Sequence, residues 1–287
     1  MTTRTSQPVV TGGSARSAPS ALALGGYRTV LEVKTFFREK DALIFSFLFP
    51  IIMLGIFSVV FGGEESAIGG GGPEIDFTQY FLPGMIAAGI FLVSFQTLAI
   101  TIAIERDDGT LKRLRGTPMP PVSYFLGKIG MVLVTAVAQT AMLLAYAALI
   151  YRVELPTEPS RWFTFAWVFV LGTAAGTVLG IAYSSVPKSG RSAPAVVTTP
   201  VLILQFISGV FFIYSDLPTW LQHIAAFFPL KWMAQGMRSV FLPPEFEAAE
   251  VSGSWQHGLT AVVLVLWLIV GLVLCVRTFR WQRRDAG

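Results

Sequence analysis

The chain has 287 residues, of which 53% are hydrophobic and only 13% are charged, and its mean hydropathy is +0.64. This composition is too apolar for a water-soluble domain of the same length. Because helices satisfy their own backbone hydrogen bonds in lipid, the sequence predicts an all-α polytopic protein of the cytoplasmic membrane.

The N-terminal region divides into two parts before the first long apolar run. Residues 1–26 are mostly Ser, Thr, Ala, Gly and Pro, which predicts a disordered cytoplasmic tail. In residues 27–41, Val30, Val33 and Phe37 share one face of a helix and charged side chains occupy the other. We expect an amphipathic interfacial helix here, and a simple extension of the first span is the alternative.

Six stretches are long and apolar enough to cross a hydrocarbon layer of about 30 Å as helices. They are residues 42–62, 80–104, 125–151, 162–186, 194–214 and 258–276. The sequence therefore predicts a six-span transmembrane permease domain over residues 42–276, followed by a basic cytoplasmic tail at 277–287.

Basic residues are concentrated on one side of these spans. Of the 21 Lys and Arg residues, six precede the first span and five lie in the stretch 105–128, which runs from the end of the second span into the start of the third. Two more lie between the fourth and fifth spans, and four follow the sixth. Since loops rich in Lys and Arg stay in the cytoplasm, we expect both termini on the cytoplasmic side.

The polar loop between the second and third spans begins with ERDDGTLKRLRGTPMP, residues 105–120. Asp107 or Asp108 can cap a helix over residues 110–115, Gly116 can end it, and the prolines that follow prevent its continuation. The loop is therefore expected to hold a short, positively charged helix. A loop that only anchors the protein through its charge is the alternative interpretation.

The fourth span carries a small residue at every fourth position, namely Gly172, Gly176 and Gly180. Such a row lets two helices approach closely. We favour a contact within one chain, and a contact between two chains is the alternative.

The segment between the fifth and sixth spans contains two amphipathic pieces, residues 218–228 and 230–240, separated by Pro229. Both are too short to cross a membrane. We expect them to dip into the outer leaflet or to re-enter it.

The span interiors carry neutral polar side chains and essentially no ionisable ones. This argues against an ion-coupled carrier and against an intramembrane enzyme, because both depend on ionisable groups at depth. Gln96, Gln139, Gln205 and Ser208 are the candidates for contact with a transported amphiphile, and ordinary hydrogen bonding between helices is the alternative.

The sequence contains no GxxxxGK[ST] motif, the usual phosphate-binding loop of ATP-binding proteins. The two histidines, His223 and His257, have no other metal-ligating residue type at a useful spacing, so no metal site is expected. The single cysteine, Cys275, can form no disulfide within the chain.

The order of elements and the loop sequence of residues 105–118 resemble those of ATP-binding-cassette (ABC) type-2 export permeases. The compact size and short outer loops are similar to the drug-resistance permeases of the daunorubicin type. The resemblance covers nearly the whole chain after residue 26.

The resemblance implies that the loop forms a coupling helix that docks on a separate ATPase subunit, beside the N-terminal helix. The residues it assigns to this contact are Glu105, Arg106, Gly109, Thr110, Leu111, Arg113, Leu114, Arg115, Pro118, Lys34, Phe37 and Arg38. It also implies a homodimer or heterodimer of permease chains. This chain itself would be no enzyme and would bind no cofactor or nucleic acid, since ATP and Mg²⁺ would be bound by the ATPase.

The function that follows from the resemblance is outward transport of a hydrophobic or amphiphilic small molecule, such as a drug or antibiotic. Export of a lipid-linked glycan or a cell-envelope lipid is an alternative within the same family. A membrane scaffold that does not transport is the alternative from a different class.

Overall fold

The computed structural model describes residues 20–61, 66–67 and 74–279. Within these residues the fold is helical, apart from a two-residue antiparallel strand pair, β1 (Ser66–Ala67) and β2 (Glu74–Ile75). The helices are α1 (Ala21–Arg38), α2 (Lys40–Phe61), α3 (Phe77–Phe91), α4 (Leu98–Asp107), α5 (Thr110–Arg115), α6 (Pro121–Ile150), α7 (Pro159–Tyr183), α8 (Ala193–Ile207), α9 (Thr219–Phe227), α10 (Pro229–Phe241) and α11 (His257–Thr278). The predicted all-α membrane fold is confirmed.

Five helical segments in the described part of the chain are long and apolar enough to cross a membrane. They are Leu43–Phe61, Phe77–Asp107, Pro121–Ile150, Pro159–Tyr183 and His257–Thr278. The protein is therefore a multi-pass membrane protein, and these segments correspond to the first four predicted spans and the sixth.

The fifth predicted span is shorter than expected. α8 has 15 residues and is therefore about 22 Å long, less than the roughly 30 Å of a hydrocarbon core. The chain leaves the helix at Ser208, and Gly209 adopts a left-handed conformation with φ of 75°. The prediction of a span to residue 214 was wrong because residues 210–213 are apolar but lie in a non-helical turn.

The N-terminal boundaries also differ from the prediction. α1 begins at Ala21, so residues 21–26 are helical and not part of a disordered tail. The Ser20 side chain caps this helix by accepting a hydrogen bond from the backbone N–H of Ala23 (3.2 Å). α1 ends at Arg38, and Glu39 separates it from α2. Residues 1–19 of the predicted tail, and residues 280–287 of the C-terminal one, lie outside the described residues.

α3 and α4 form one continuous helix through a π-helical turn, Leu92–Thr97. This 31-residue helix is the centre of the bundle, and 83% of the residues in its most apolar stretch are buried. α2, α6, α7, α8 and α10 pack against it, while α1 packs on α6 and α11 packs on α7. Because neighbouring helices cover this helix on every side, apolar residues occur all around it.

The glycine row of α7 makes contacts within the chain, as we favoured. A Cβ atom at Gly180 would lie 2.8 Å from the carbonyl oxygens of Ser94 and Phe95, in the π-helical turn. A Cβ at Gly172 would lie 2.8 Å from Met233 Cε in α10. A Cβ at Gly176 would likewise clash with the side chain of Ser94. The missing side chains therefore make room for the widened turn of the central helix.

The outer amphipathic pieces form α9 and α10, and the structure confirms that they re-enter the bundle. The indole N–H of Trp267 donates to the carbonyl oxygen of Phe227 at the α9–α10 tip (2.7 Å). Trp267 is the eleventh of the 22 residues of α11, so the tip lies about halfway along that span. At the other end of α10, Arg161 at the start of α7 donates to the carbonyl oxygen of Leu242 (2.8 Å). α10 therefore runs from the surface of the bundle to about its middle.

Candidate functional site

The end of the bundle that carries α5 is called the basic end below, and it also holds the start of α2 and the end of α11. Here Asp108 accepts a hydrogen bond from the backbone N–H of Thr110 (2.8 Å) and Gly109 adopts a left-handed φ of 78°. The Gly116 N–H donates to the carbonyl oxygen of Arg113 (3.1 Å) and closes α5. The helix predicted over residues 110–115 is therefore present and ends at Gly116 as predicted, but its N-cap residue is Gly109, and Asp108 supports the first turn from one position earlier.

α5 is anchored to the rest of the chain by its apolar face. Leu111 is fully buried in a cluster that includes Phe36 of α1, Phe47 of α2 and Ile102 of α4, and Leu114 packs against the same cluster. Burial of a leucine side chain is worth about 2 kcal/mol. Leu111 therefore holds the helix in place, and its side chain is not available to contact a second protein.

The opposite face of α5 is open to solvent. Lys112, Arg113 and Arg115 are exposed, as is Pro118 just beyond the helix, whereas Gly109 and Thr110 are half-buried. This side is cationic, so it can bind a surface that presents carboxylates.

The end of α1 extends the same surface. Lys34 and Arg38 are exposed, and Phe37 is 43% exposed. The Phe37 ring contacts Phe36 and Phe47 at centroid distances of 5.7 and 6.0 Å, and both of those rings belong to the cluster that buries Leu111. The structure thus places Phe37 of α1 against the cluster that holds Leu111 and Leu114 of α5.

Glu105, in contrast, faces into the chain. Its carboxylate accepts hydrogen bonds from Lys128 Nζ (2.6 Å) and from the Tyr124 hydroxyl (2.7 Å). The same Lys128 donates to Glu32 of α1 (2.7 Å), and Glu32 pairs with Arg28 (2.6 Å). We call Arg28, Glu32, Glu105 and Lys128 the ion-pair network.

The ion-pair network joins α1, α4 and α6 just before the chain enters α5. Lys128 is fully buried, and it does not extend to the membrane surface as its position at the end of a span suggested. Two cations and two carboxylates balance one another, which is what allows these groups to be buried. No local sequence pattern indicates this pairing, because Glu32 and Lys128 are 96 residues apart.

The residues after Glu105 tie α4 to the segment between α7 and α8. The Arg106 guanidinium donates to the carbonyl oxygen of Ser184, and Asp107 accepts a hydrogen bond from the backbone N–H of Gly190 (2.9 Å). Arg106 therefore has an internal partner, like Glu105. Of the twelve residues assigned to the ATPase contact, Glu105, Arg106 and Leu111 face inward in this chain.

The four polar candidates for a transport path do not form one cluster. Gln96, in the π-helical turn, donates to Thr198 Oγ1 of α8 (3.2 Å). Gln205 is buried on α8 two turns beyond Thr198, and Ser208 is buried where that helix ends. Gln139 lies on α6 and packs against Gly89 of α3.

Three of these four have a buried oxygen for which the structure shows no hydrogen-bond partner: Gln139 Oε1, Gln205 Oε1 and Ser208 Oγ. Such atoms are costly in an apolar interior unless water or a ligand satisfies them. They therefore stay candidates for substrate contact, and Thr173 Oγ1 and Thr260 Oγ1 share the same property. In the part of the chain that the structure describes, no three metal-ligating side chains come together.

The sequence reading missed two buried cations on α10. Arg238 is 1% exposed and pairs with Glu250 through two hydrogen bonds of 2.6 and 3.2 Å. Lys231 is 5% exposed, donates to Gln235, and lies 3.5 Å from the ring centroid of Trp232. The spacing of Lys231, Gln235 and Arg238 places them on one helical face, which was the available signal.

A family model described as "ABC-2 type transporter" matches residues 29–242. The chain is 22% identical over 175 residues to the "Probable multidrug ABC transporter permease YbhR" of Escherichia coli K12, covering 59% of this chain and 45% of that relative. It is 21% identical over 193 residues to the "Inner membrane transport permease YadH" of the same organism, covering 67% of this chain and 74% of YadH.

A more distant relative is the "ABC transporter G family member 23" of Dictyostelium discoideum, 22% identical over 203 residues, or 70% of this chain and 27% of that protein. The matched region thus spans less than half of YbhR and about a quarter of the Dictyostelium protein. The family match, by contrast, includes the loop with α5 and all of α1 after Arg28.

Proposed function

This chain belongs to the ABC-2 type transporter family and is the membrane subunit of an ABC transporter, and we propose that it exports a hydrophobic or amphiphilic small molecule. The family implies in general an ABC ATPase partner and a dimeric arrangement of membrane subunits. We propose that a separate ATPase subunit binds ATP and Mg²⁺ and drives transport, and that the transporter contains two permease chains.

The observation that carries the coupling proposal is the two-sided structure of α5. Leu111 is fully buried in the chain and Leu114 is half-buried, while the cations of α5 are exposed. A helix that is fixed on one side and open on the other can receive a push from a partner and pass it to the spans. We assign the docking contact to the exposed residues Arg113, Arg115 and Pro118, with Lys34 and Arg38 of α1.

The inward-facing residues of the predicted contact have a different role in this proposal. Glu105, Arg106 and Leu111 connect α5 to α1, α6 and the segment after α7, so they transmit movement rather than touch the ATPase. The basic end is then the cytoplasmic end, in agreement with its excess of Lys and Arg.

Export of an amphiphile is supported by the neutral polar groups inside the bundle. Gln139, Gln205 and Ser208 each offer a buried oxygen without a partner, which suits a substrate that carries a few hydrogen-bond donors on an apolar body. YbhR, one of the similar proteins, is named as a probable multidrug permease. That name supports a drug-like amphiphile as the substrate class.

The coupling contact can be tested by charge reversal at Arg115. We expect Arg115→Glu to lower recovery of the ATPase subunit with the tagged permease by at least about tenfold, because it repels the carboxylates of the partner. The bound subunit would be measured by quantitative mass spectrometry of the purified complex. Arg152→Glu, an exposed residue at the other end of the bundle, is the matched control. Equal recovery with both variants would contradict the docking surface.

The direction of transport needs a separate readout. Everted membrane vesicles that contain the complex should accumulate a fluorescent amphiphilic cation when ATP is added, and Arg115→Glu should abolish this accumulation. Uptake that is independent of ATP, or loss of dye from preloaded everted vesicles, would contradict export.

A further inference from the structure

A groove of about 360 Å³ lies beneath the α9–α10 tip and extends toward the basic end. Phe228 and Trp267 line it at the level of the tip, where Trp267 donates to the carbonyl oxygen of Phe227. Ser185 and Thr278 line it at the opposite end. Ser185 lies just past the end of α7, and Thr278 is the last residue of α11. The groove therefore occupies the half of the membrane nearest the basic end.

The fold explains why this space exists. α10 penetrates only to about the middle of the bundle, so among the described residues no helix continues below its tip between α8 and α11. Phe95 of the central helix and Leu204 of α8 form part of the walls. An empty apolar space of this size forfeits many van der Waals contacts, and a hydrocarbon chain from the bilayer would restore them.

The polar side chains that line the groove are already bonded to their own backbone. Ser185 Oγ donates to the carbonyl oxygen of Ala182 (2.8 Å), and Thr278 Oγ1 donates to that of Leu274 (2.7 Å). The Tyr183 hydroxyl donates to the carbonyl oxygen of Val196 (3.4 Å). The walls thus offer apolar contact and no free hydrogen-bonding group, which suits a hydrocarbon chain better than a polar substrate.

The length of the groove and the basic residues at one of its ends indicate which kind of lipid it can bind. Thr278 lies eleven residues after Trp267 on α11, a rise of about 16 Å. This distance is close to the thickness of one leaflet, half of a hydrocarbon core of about 30 Å. Lys188, Arg191 and Arg277 are all exposed and lie within six residues of Ser185 or Thr278 in sequence. Basic residues at this depth attract negatively charged lipid head groups.

We propose that the groove binds one acyl chain of an anionic lipid from the leaflet at the basic end, with its head group near Lys188, Arg191 and Arg277. The identification of this leaflet as the cytoplasmic one rests on the proposed function. The existence of the lipid-binding site does not depend on that function. The four polar candidates for substrate contact are absent from the residues that line the groove, so it is distinct from the proposed transport path.

Native mass spectrometry of the purified full-length chain tests the proposal, with phosphatidylglycerol and phosphatidylcholine of equal chain length as probes. We expect one phosphatidylglycerol to be retained per chain. Ala182→Phe places a ring in the groove and should remove this lipid, whereas Leu266→Phe on the exposed surface of α11 should retain it.

The head-group contact is tested by charge removal. Lys188→Gln/Arg191→Gln/Arg277→Gln should weaken phosphatidylglycerol binding by about ten- to a hundredfold. Lys34→Gln/Arg38→Gln/Arg115→Gln removes the same charge from the same end and should change it far less. Equal weakening by both triple variants, or equal retention of the two lipids by the wild-type chain, would overturn the anionic preference.

A fluorescence measurement remains informative even if Ala182→Phe fails to fold. In vesicles of phosphatidylglycerol brominated on the acyl chain, the Trp267 signal, obtained as the difference between wild type and Trp267→Phe, should be quenched. Absence of quenching would overturn the proposal. Because neither assay contains the ATPase, a negative result here leaves the ATP-driven export assay to judge the proposed function independently.

Discussion

At the scale of single residues, Lys128 shows how burial changes the role of a charged side chain. In the sequence it is a basic residue near the end of a span, where a long side chain ordinarily reaches for water. In the structure it is fully buried between Glu32 and Glu105, and its charge is used to join three helices. A buried charge of this kind is tolerated only while its partners remain.

We predict that Lys128→Met lowers the free energy of unfolding by about 3–5 kcal/mol, because it leaves two carboxylates without their shared cation. Thermal unfolding can be followed with a thiol-reactive dye, since Cys275 is the only cysteine. Lys112→Met, which changes an exposed lysine of α5, should shift stability by less than about 0.5 kcal/mol.

The ion-pair network also predicts that a variant with balanced charges is more stable than Lys128→Met. Glu105→Gln/Lys128→Met removes one cation and one carboxylate and leaves the Arg28–Glu32 pair in place, so it should recover much of the lost stability. If the double variant were less stable than Lys128→Met alone, charge balance would not be the reason for the pairing.

The residue scale is also where sequence reasoning was weakest. The pairing of Glu32 with Lys128 and of Arg238 with Glu250 depends on which helices are neighbours, and that is not written in any local pattern. Glu105 was therefore assigned to a partner protein although Tyr124 and Lys128 satisfy it internally. The assignment of Arg115 to the partner stays a prediction, and its exposure is compatible with that contact.

At the scale of secondary-structure elements, prediction succeeded where a local signal dominates. The turns of α5 follow from Asp108, Gly109 and Gly116, and the break between α9 and α10 follows from Pro229. It failed at the end of α8, because hydropathy does not distinguish a helix from an apolar turn such as residues 210–213. The π-helical turn of the central helix likewise has no signature in its own sequence, LVSFQT.

The glycine row of α7 supports that π-helical turn, and we predict that Gly180→Ala disturbs it. The added Cβ would lie 2.8 Å from the carbonyl oxygens of Ser94 and Phe95, closer than such contacts allow. We expect a loss of about 1–3 kcal/mol in stability together with weaker ATP-dependent dye transport. Gly258→Ala is the control, because a Cβ there meets nothing within 4 Å. Unchanged stability in Gly180→Ala would show that the two helices separate easily at this contact.

At the scale of the whole molecule, the distribution of charge predicts how the chain sits in the membrane. The loop with α5 is basic, whereas the segment after α10 carries Glu245, Glu247 and Glu250. Positively charged loops are retained in the cytoplasm. The class of protein and the approximate positions of five of the six predicted spans could be predicted from such global features, because hydrophobicity and charge are summed over many residues.

Orientation can be measured with single cysteines in a Cys275→Ser background. We predict that a membrane-impermeant maleimide labels Ser252→Cys in intact cells and Thr117→Cys only in everted vesicles, as both positions are exposed but lie at opposite ends of the bundle. Detergent-solubilised protein should label at both positions and serves as the control. The reverse pattern would place the basic end outside and would contradict the coupling proposal.

The contact between α7 and the π-helical turn has a mechanical consequence for the 31-residue central helix. Phe95 lies about 18 Å from the end of this helix at Asp107 and about 27 Å from its beginning at Phe77. If Gly176 and Gly180 act as a fulcrum, the helix is a lever with unequal arms. A displacement of α5 by 2 Å, on the order of the helix shifts seen in allosteric proteins, would then move the far end by about 3 Å in the opposite direction.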